Sequence, residues 1–483
     1  MPTCTELQLM TKTYLLEVIK ASKPIKPQEL ALLLASPIFN RGGNAKELAK
    51  LYQLIIETAP NFSEELLRKE TIYFQVFSDN SIVPRKLDKL IADLNKVLRT
   101  YYLTKRYFSE QNEMQQQLDW AIWLRENGLA ERARQLLTKL QTTDEEAPLE
   151  SFEQYRNNLL IEEEVHEWEL VNNQAKGDLN IPTFVSKLDK YYRNYRIELL
   201  NRYLLQQKVA QLPDFDAVSI DEDKHQQDSN LFQISQMVHN LLVQDLPSVL
   251  QFQELMHHLK RSEQNYSFQT LAQFYTYLRG FCSLLINAGH LDFVPTLHEL
   301  NKDNLESGYF LVKGEISPNS YLNLVQIATR AKDYTWAKKF TESFKTLILG
   351  GDEDQFFYCF NQAQCLFAEG NFEEALANLP EAPSSSHYHQ MVRRLELKVL
   401  YELNSDLLPY KLDAFRKYIE RTASKTIAAS YRTLNLNFLN ILLQLSQSPL
   451  KDKARSALLV ERIEDKKLLA ERSWLLEKAK SLG

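Results

Sequence analysis

Apolar positions along this chain recur at the three-to-four-residue spacing of a helix, segment after segment, and no segment keeps up the alternation of a half-buried strand. In "NRGGNAKELAKLYQLII", Asn44 is placed to cap a helix and Glu47 to answer it three residues on. Leu48, Leu51, Ile55 and Ile56 then share a face. "RKLDKLIADLNKVLRTYYL" groups Leu87, Leu90, Ile91, Leu94, Val97 and Leu98. Ser317 ahead of Pro318 supplies a cap and a first-turn proline. The pattern predicts an all-α chain. Composition agrees: there are 12 glycines in 483 residues, about a third of the usual share of roughly 7%. Hairpins and phosphate-cradling loops draw on glycine for positive φ.

The turns carry a pattern of their own. "CLFAEGNFEEALANL", residues 365–379, sets Gly370 two residues before Phe372 and five before Ala375. Gly370 lets one helix end in a left-handed conformation, Phe372 covers the joint, and Ala375 lets the next helix come close. "RAKDYTWAKKF" repeats this with Lys332, Tyr334, Ala337 and Phe340, the aromatic and the alanine each 38 residues upstream of their counterparts. Weaker copies centre on Gly128 with Ala133, on Gly289 with Val294, and on Asn404. A period of about 34–43 residues predicts stacked helical hairpins.

Cys359, Ala363, Leu366, Gly370, Phe372, Ala375 and Leu379, followed by Pro380, are similar to the large, small, glycine, aromatic and alanine positions of a tetratricopeptide (TPR) repeat. The stretch that resembles this family runs over roughly 280–420. The resemblance implies a TPR-like α-solenoid whose concave face binds other proteins, and it implies no chemistry. The expected organisation is an N-terminal helical region at 1–110 and a middle helical-hairpin region at 111–208. An acidic, proline-containing linker or loop at 209–230 and a TPR-like array with a C-terminal capping helix at 231–483 complete it. The cap is the amphipathic run "LVERIEDKKLLAERSWLLEKAKSL", with Leu459, Ile463, Leu468, Leu469 and Trp474 on one side.

Net charge is −6, which argues against a general nucleic-acid coat while leaving room for local basic patches. The four cysteines, Cys4, Cys282, Cys359 and Cys365, form no C-x-x-C pair. Free thiols, with no signal-peptide h-region and no membrane-length apolar run, point to a cytoplasmic protein without a membrane span.

Candidate chemistry is sparse. Two Glu-x-x-His steps, Glu163–His166 and Glu254–His257, have the spacing of di-iron bundle ligands. Two matches are near what nine histidines give by chance. His387 and His389 read as a loop-edge pair, Gly42–Gly43 as a flexible turn, and "DFDAVSIDED" as a solvated acidic loop. No nucleophile elbow, P-loop or zinc-protease motif occurs, so neither an enzyme nor a cofactor is expected.

The most suggestive segment is "KLDKYYRNYRIELLNRYLLQQK". Lys190, Arg193, Arg196 and Arg202, interleaved with tyrosines, form a binding patch suited to phosphates and bases. Against this, Leu188, Tyr192, Tyr195, Leu199 and Tyr203 recur at helical spacing and predict a core stripe with the cations on the wet side. Two further basic runs span Arg85–Arg106 and Arg416–Arg432. The expected function is a protein–protein interaction scaffold or adaptor with an unidentified protein partner. A nucleic-acid-binding helical protein is the alternative, and a helical-bundle metalloprotein a distant third.

Overall fold

A computed structural model describes residues 13–483 apart from 23, 60–61, 80, 146–148, 174–178, 211–228, 353–354, 384–385, 423–428 and 450. Cys4, Lys425 and almost all of the expected 209–230 linker therefore lie outside the described residues. The described residues form twenty-two α-helices and one antiparallel two-stranded ladder, Leu311–Val312 with Glu315–Ile316. The chain is all-α, as the apolar spacing predicts. None of the described helices is long and apolar enough to cross a membrane.

The described residues fold into two compact units. The first comprises residues 1–146 and 157–187. One of its cores gathers Leu48, Leu51, Ile55, Leu94 and Leu98, the faces read from sequence, and a second gathers Leu118, Ala133, Leu137, Ile161 and Val165. Asn44 directly precedes the helix Ala45–Ile56 but makes no side-chain cap. Its amide instead donates to Asp93 Oδ2 at 3.1 Å, so a tertiary hydrogen bond displaces the expected local one.

The second unit comprises residues 147–156 and 188–483. Its turns repeat one geometry. Gly128 in the first unit, and Gly289, Lys332, Gly370 and Asn404 in the second, all have positive φ, from 48° to 107°. After each, the next amide reaches back five residues: Leu129 to Leu124 (2.9 Å), His290 to Leu285 (3.0 Å), Asp333 to Ala328 (3.0 Å), Asn371 to Leu366 (2.9 Å) and Ser405 to Leu400 (3.0 Å). These bonds satisfy carbonyls that the helix end leaves open. Five residues past the left-handed position, Ala133, Ala337 and Ala375 are fully buried and Val294 nearly so, while the Asn404 turn carries exposed Pro409 there.

Between these turns the helices pack as neighbours. Pro318–Arg330 lies against Tyr334–Phe344 and Phe356–Ala368; the latter lies in turn against Phe372–Ala377 and Ser386–Glu402. Tyr321 ties them together: its hydroxyl donates to Thr341 O (2.8 Å) and its carbonyl accepts from Asn361 Nδ2 (3.1 Å). Ser317 caps Pro318–Arg330 through Ser320 N, as expected.

The expected single C-terminal helix is two, Lys453–Glu464 and Arg472–Ser481, broken before Glu471, which is left-handed at φ 55°. The Arg472 guanidinium donates to the carbonyls of Ile463 and Lys466, satisfying groups freed by the break. Breaking the run lets Leu459 and Ile463 from one piece and Leu475 and Ala479 from the other enter the same core.

Candidate functional site

The basic, tyrosine-rich segment forms the helix Ile181–Ala210. Its expected orientation is reversed. Of the expected stripe, Leu188, Tyr192, Tyr195 and Leu199 line up on one side and are 45%, 56%, 41% and 47% exposed, while Tyr203 is half-buried; Ile181 and Val185 on the same helix are exposed as well. Asn194, Ile197, Glu198 and Asn201, on the opposite side, are at most 3% exposed. The apolar stripe faces solvent and a largely polar stripe faces the unit's interior.

The inward polar side is stable because its groups find partners. Asn201 Nδ2 donates to Ser235 O (2.8 Å), and Asn201 Oδ1 meets His239 Nδ1 (3.0 Å). Asn194 Oδ1 accepts from Ser229 Oγ (3.2 Å), and its amide donates to Lys190 O (2.8 Å). Glu198 Oε1 accepts from Tyr277 OH (3.2 Å) and from Arg202 Nε (2.6 Å). Its other oxygen has no hydrogen-bond partner, and burial raises the carboxyl above the usual carboxylate range. Burial lowers His239 in the same way. Close approach is helped by Gly280 on the helix Phe268–Asn287, where a Cβ would sit 2.7 Å from Leu205 Cδ1.

The four cations of the expected patch have separate assignments. Lys190 Nζ sits 4.8 Å from the centre of the Tyr155 ring, and the Arg193 guanidinium 4.8 Å from that of Phe232. Arg202 is held by buried Glu198. Arg196 lies over Tyr192 at 5.8 Å, beside the exposed stripe. Tyr195 stacks on Tyr191, centroids 5.4 Å apart and planes 12° apart. From sequence Glu198 reads only as a counter-charge to the cations of this helix, and Asn201 and His239 carry no expectation. Their signal was present as polar residues Asn194, Glu198 and Asn201 at helical spacing.

The other expected residues sit as follows. Gly370 and Ala375 hold the turn and the close helix contact; Phe372 is half-buried with its ring 5.5 Å from Phe367. Ala337 is buried and Tyr334 half-buried. In the first basic run, Lys86 pairs with Asp79 at 2.6 Å, and in the third, Lys417 pairs with Asp413 at 2.7 Å.

His166 Nδ1 lies 2.7 Å from Leu179 O and its ring stacks on Phe184; Glu254 and His257 are exposed on the helix Val249–Ser262. Among the described residues no three His, Cys, Asp or Glu side chains converge as a metal set. His387 and His389 belong to the helix Ser386–Glu402 rather than to a loop edge, with His389 stacked on Tyr418 at 3.9 Å. Burial pushes the Cys282 thiol up to about 12 and Cys365 up to about 11, which removes both as nucleophiles near neutral pH.

No family model, curated protein or solved structure matches this chain.

Proposed function

We propose that this chain is a non-enzymatic protein–protein interaction scaffold, a TPR-like α-solenoid in its second unit, that takes its partner on the outward stripe of the helix Ile181–Ala210. The single observation that carries this reading is the inversion of that helix. Four large apolar side chains stand in solvent while Asn194, Glu198 and Asn201 occupy the interior. Contiguous exposed apolar surface on a soluble protein marks an interaction site, and Tyr is favoured there because a rigid ring offers area and a polar tip together. The recurring left-handed turns, and the contacts of Phe356–Ala368 with the helices on both sides of it, support the stacking of hairpins.

Nucleic-acid binding is the second reading. Exposed Tyr192 and Tyr195 beside Arg196 favour it. It is the weaker of the two because Lys190 and Arg193 lie on rings of their own unit and Arg202 on Glu198.

The test is capture from native lysate with and without nuclease, using the wild type and a Tyr192→Glu/Tyr195→Glu variant. The expected result is a protein that survives nuclease and is lost with the variant. Captured nucleic acid whose binding falls steeply with salt would reverse the order of the two readings. A partner unaffected by the variant would move the site elsewhere.

A further inference from the structure

The last helix of the second unit, Arg472–Ser481, begins in a concentration of positive charge. Its N-cap residue, Glu471, makes no side-chain cap. The carboxylate goes instead to Lys398 Nζ (2.7 Å) and Arg394 Nε (3.4 Å), both on the helix Ser386–Glu402. Arg330, the last residue of Pro318–Arg330, is a third cation close enough to act on Glu471 through its charge. Its guanidinium lies 3.4 Å from Ser473 Oγ, in the first turn of the last helix. Three cations therefore meet one carboxylate, a surplus of two positive charges. Neighbouring charges do not offset it. Lys478 is paired with Glu402 at 2.7 Å, and Arg472 adds a further cation, directed at the carbonyls of Ile463 and Lys466.

The three cations are not equally occupied. Lys398 and Arg394 are held by Glu471 and largely buried. Arg330 is exposed and pairs with no carboxylate among the described residues. Its guanidinium, the Ser473 hydroxyl and the start of a helix make up a donor set suited to an oxyanion. The first N–H groups of a helix have no partner within it, and the helix dipole favours negative charge there. A guanidinium adds a planar fork that matches phosphate oxygens. Glu471 uses none of these donors, and a surplus of two charges suits a dianion better than another carboxylate.

We propose that Arg330, Ser473 and the first turn of the helix Arg472–Ser481 bind a phosphoryl dianion, either free phosphate or the phosphate ester of a partner's side chain. Arg394 and Lys398 hold Glu471 and contribute field rather than direct bonds. The proposal is independent of the outward stripe on Ile181–Ala210.

Isothermal titration calorimetry of the full chain at low ionic strength tests it, with inorganic phosphate and with acetylated, amidated phosphoserine as probes. The expected result is one saturable site per chain with a Kd of about 1 mM or tighter, and none with chloride at equal ionic strength. Arg330→Gln should weaken binding about tenfold or more and leave the circular dichroism spectrum unchanged, because Arg330 is exposed. Glu471→Gln removes the carboxylate from the cluster and should tighten binding about tenfold, measured well below its lowered melting temperature. Tighter binding of the phosphoserine probe assigns the site to a phosphorylated partner. Equal or tighter binding of inorganic phosphate assigns it to the free ion. Absence of saturable binding with both probes overturns the proposal. So does binding that Arg330→Gln leaves unchanged, or a folded Glu471→Gln variant that binds more weakly than the wild type.

Discussion

The hairpins between residues 318 and 377 and the helix Ile181–Ala210 are built from similar sequence patterns and orient them in opposite ways. In the hairpins the apolar stripe turns inward: Tyr321, Val325, Ala337, Phe340, Phe360 and Ala375 are all at most 4% exposed. In the long helix a stripe of equal regularity turns outward, and Asn194, Glu198 and Asn201 take its place inside. Periodicity locates a stripe along a helix; the neighbours decide which way it faces. Ser235 O, His239, Ser229 and Tyr277 supply the hydrogen bonds that make a polar interior side tolerable.

The largest effect should come from substituting one aromatic in each region. Phe340→Ala empties a site between Tyr321, Trp336 and Phe344 and should cost about 3–5 kcal/mol by urea unfolding. Tyr192→Ala at low protein concentration should change stability by no more than about 0.5 kcal/mol. Equal costs at the two positions would break the contrast.

Two carboxylates, one half-buried and one buried, sharpen it. Glu471 sits between Lys398 Nζ (2.7 Å) and Arg394 Nε (3.4 Å). Desolvation opposes its ionisation, but Lys398 and Arg394, with Arg330 beyond them, outweigh it and hold it at about 2, against an ordinary 4.5. Its contribution, about 2–3 kcal/mol, should be complete above pH 4.5 and be lost as pH falls from 4.5 toward 2. Glu471→Gln should remove about the same amount at pH 7 and flatten that limb of the stability profile.

Glu198 runs the other way. Burial raises its carboxyl, so its charged form is the strained one, and stability is lost as pH rises through its folded value. Glu198→Gln, which keeps the Tyr277 acceptor, should therefore change stability at pH 7 by about 1 kcal/mol or less, and toward stabilisation. A loss as large as that for Glu471→Gln would show the Arg202 pair outweighing burial.

The smallest effects belong to the turns. A Cβ at Gly370 would touch nothing within 4 Å, so only its φ of 86° resists substitution. Gly370→Ala should cost about 1 kcal/mol, and Lys332→Gly, relieving a non-glycine residue at φ 63°, should gain about 0.5 kcal/mol. Both shifts are measurable by thermal unfolding.

Much of this architecture was legible in the sequence because turns are local. A glycine, lysine or asparagine that must be left-handed leaves its mark within six residues, and Ala133, Ala337 and Ala375 follow it at one fixed distance. The C-terminal break was not legible, since it depends on Arg472 finding the carbonyls of Ile463 and Lys466 across the bend. The proposed binding face was half legible. The stripe Leu188, Tyr192, Tyr195 and Leu199 could be read, but its outward direction depends on Ser229, Ser235, His239 and Tyr277, 34 to 79 residues away.

The most direct measurement places a cysteine on each side of that helix, Tyr192→Cys and Ile197→Cys, and follows thiol labelling by peptide mapping in dilute native protein. The account predicts that the cysteine at 192 labels at nearly the rate of the unfolded chain, and that the cysteine at 197 labels only on unfolding. Fast labelling at 197 with protection at 192 would contradict it.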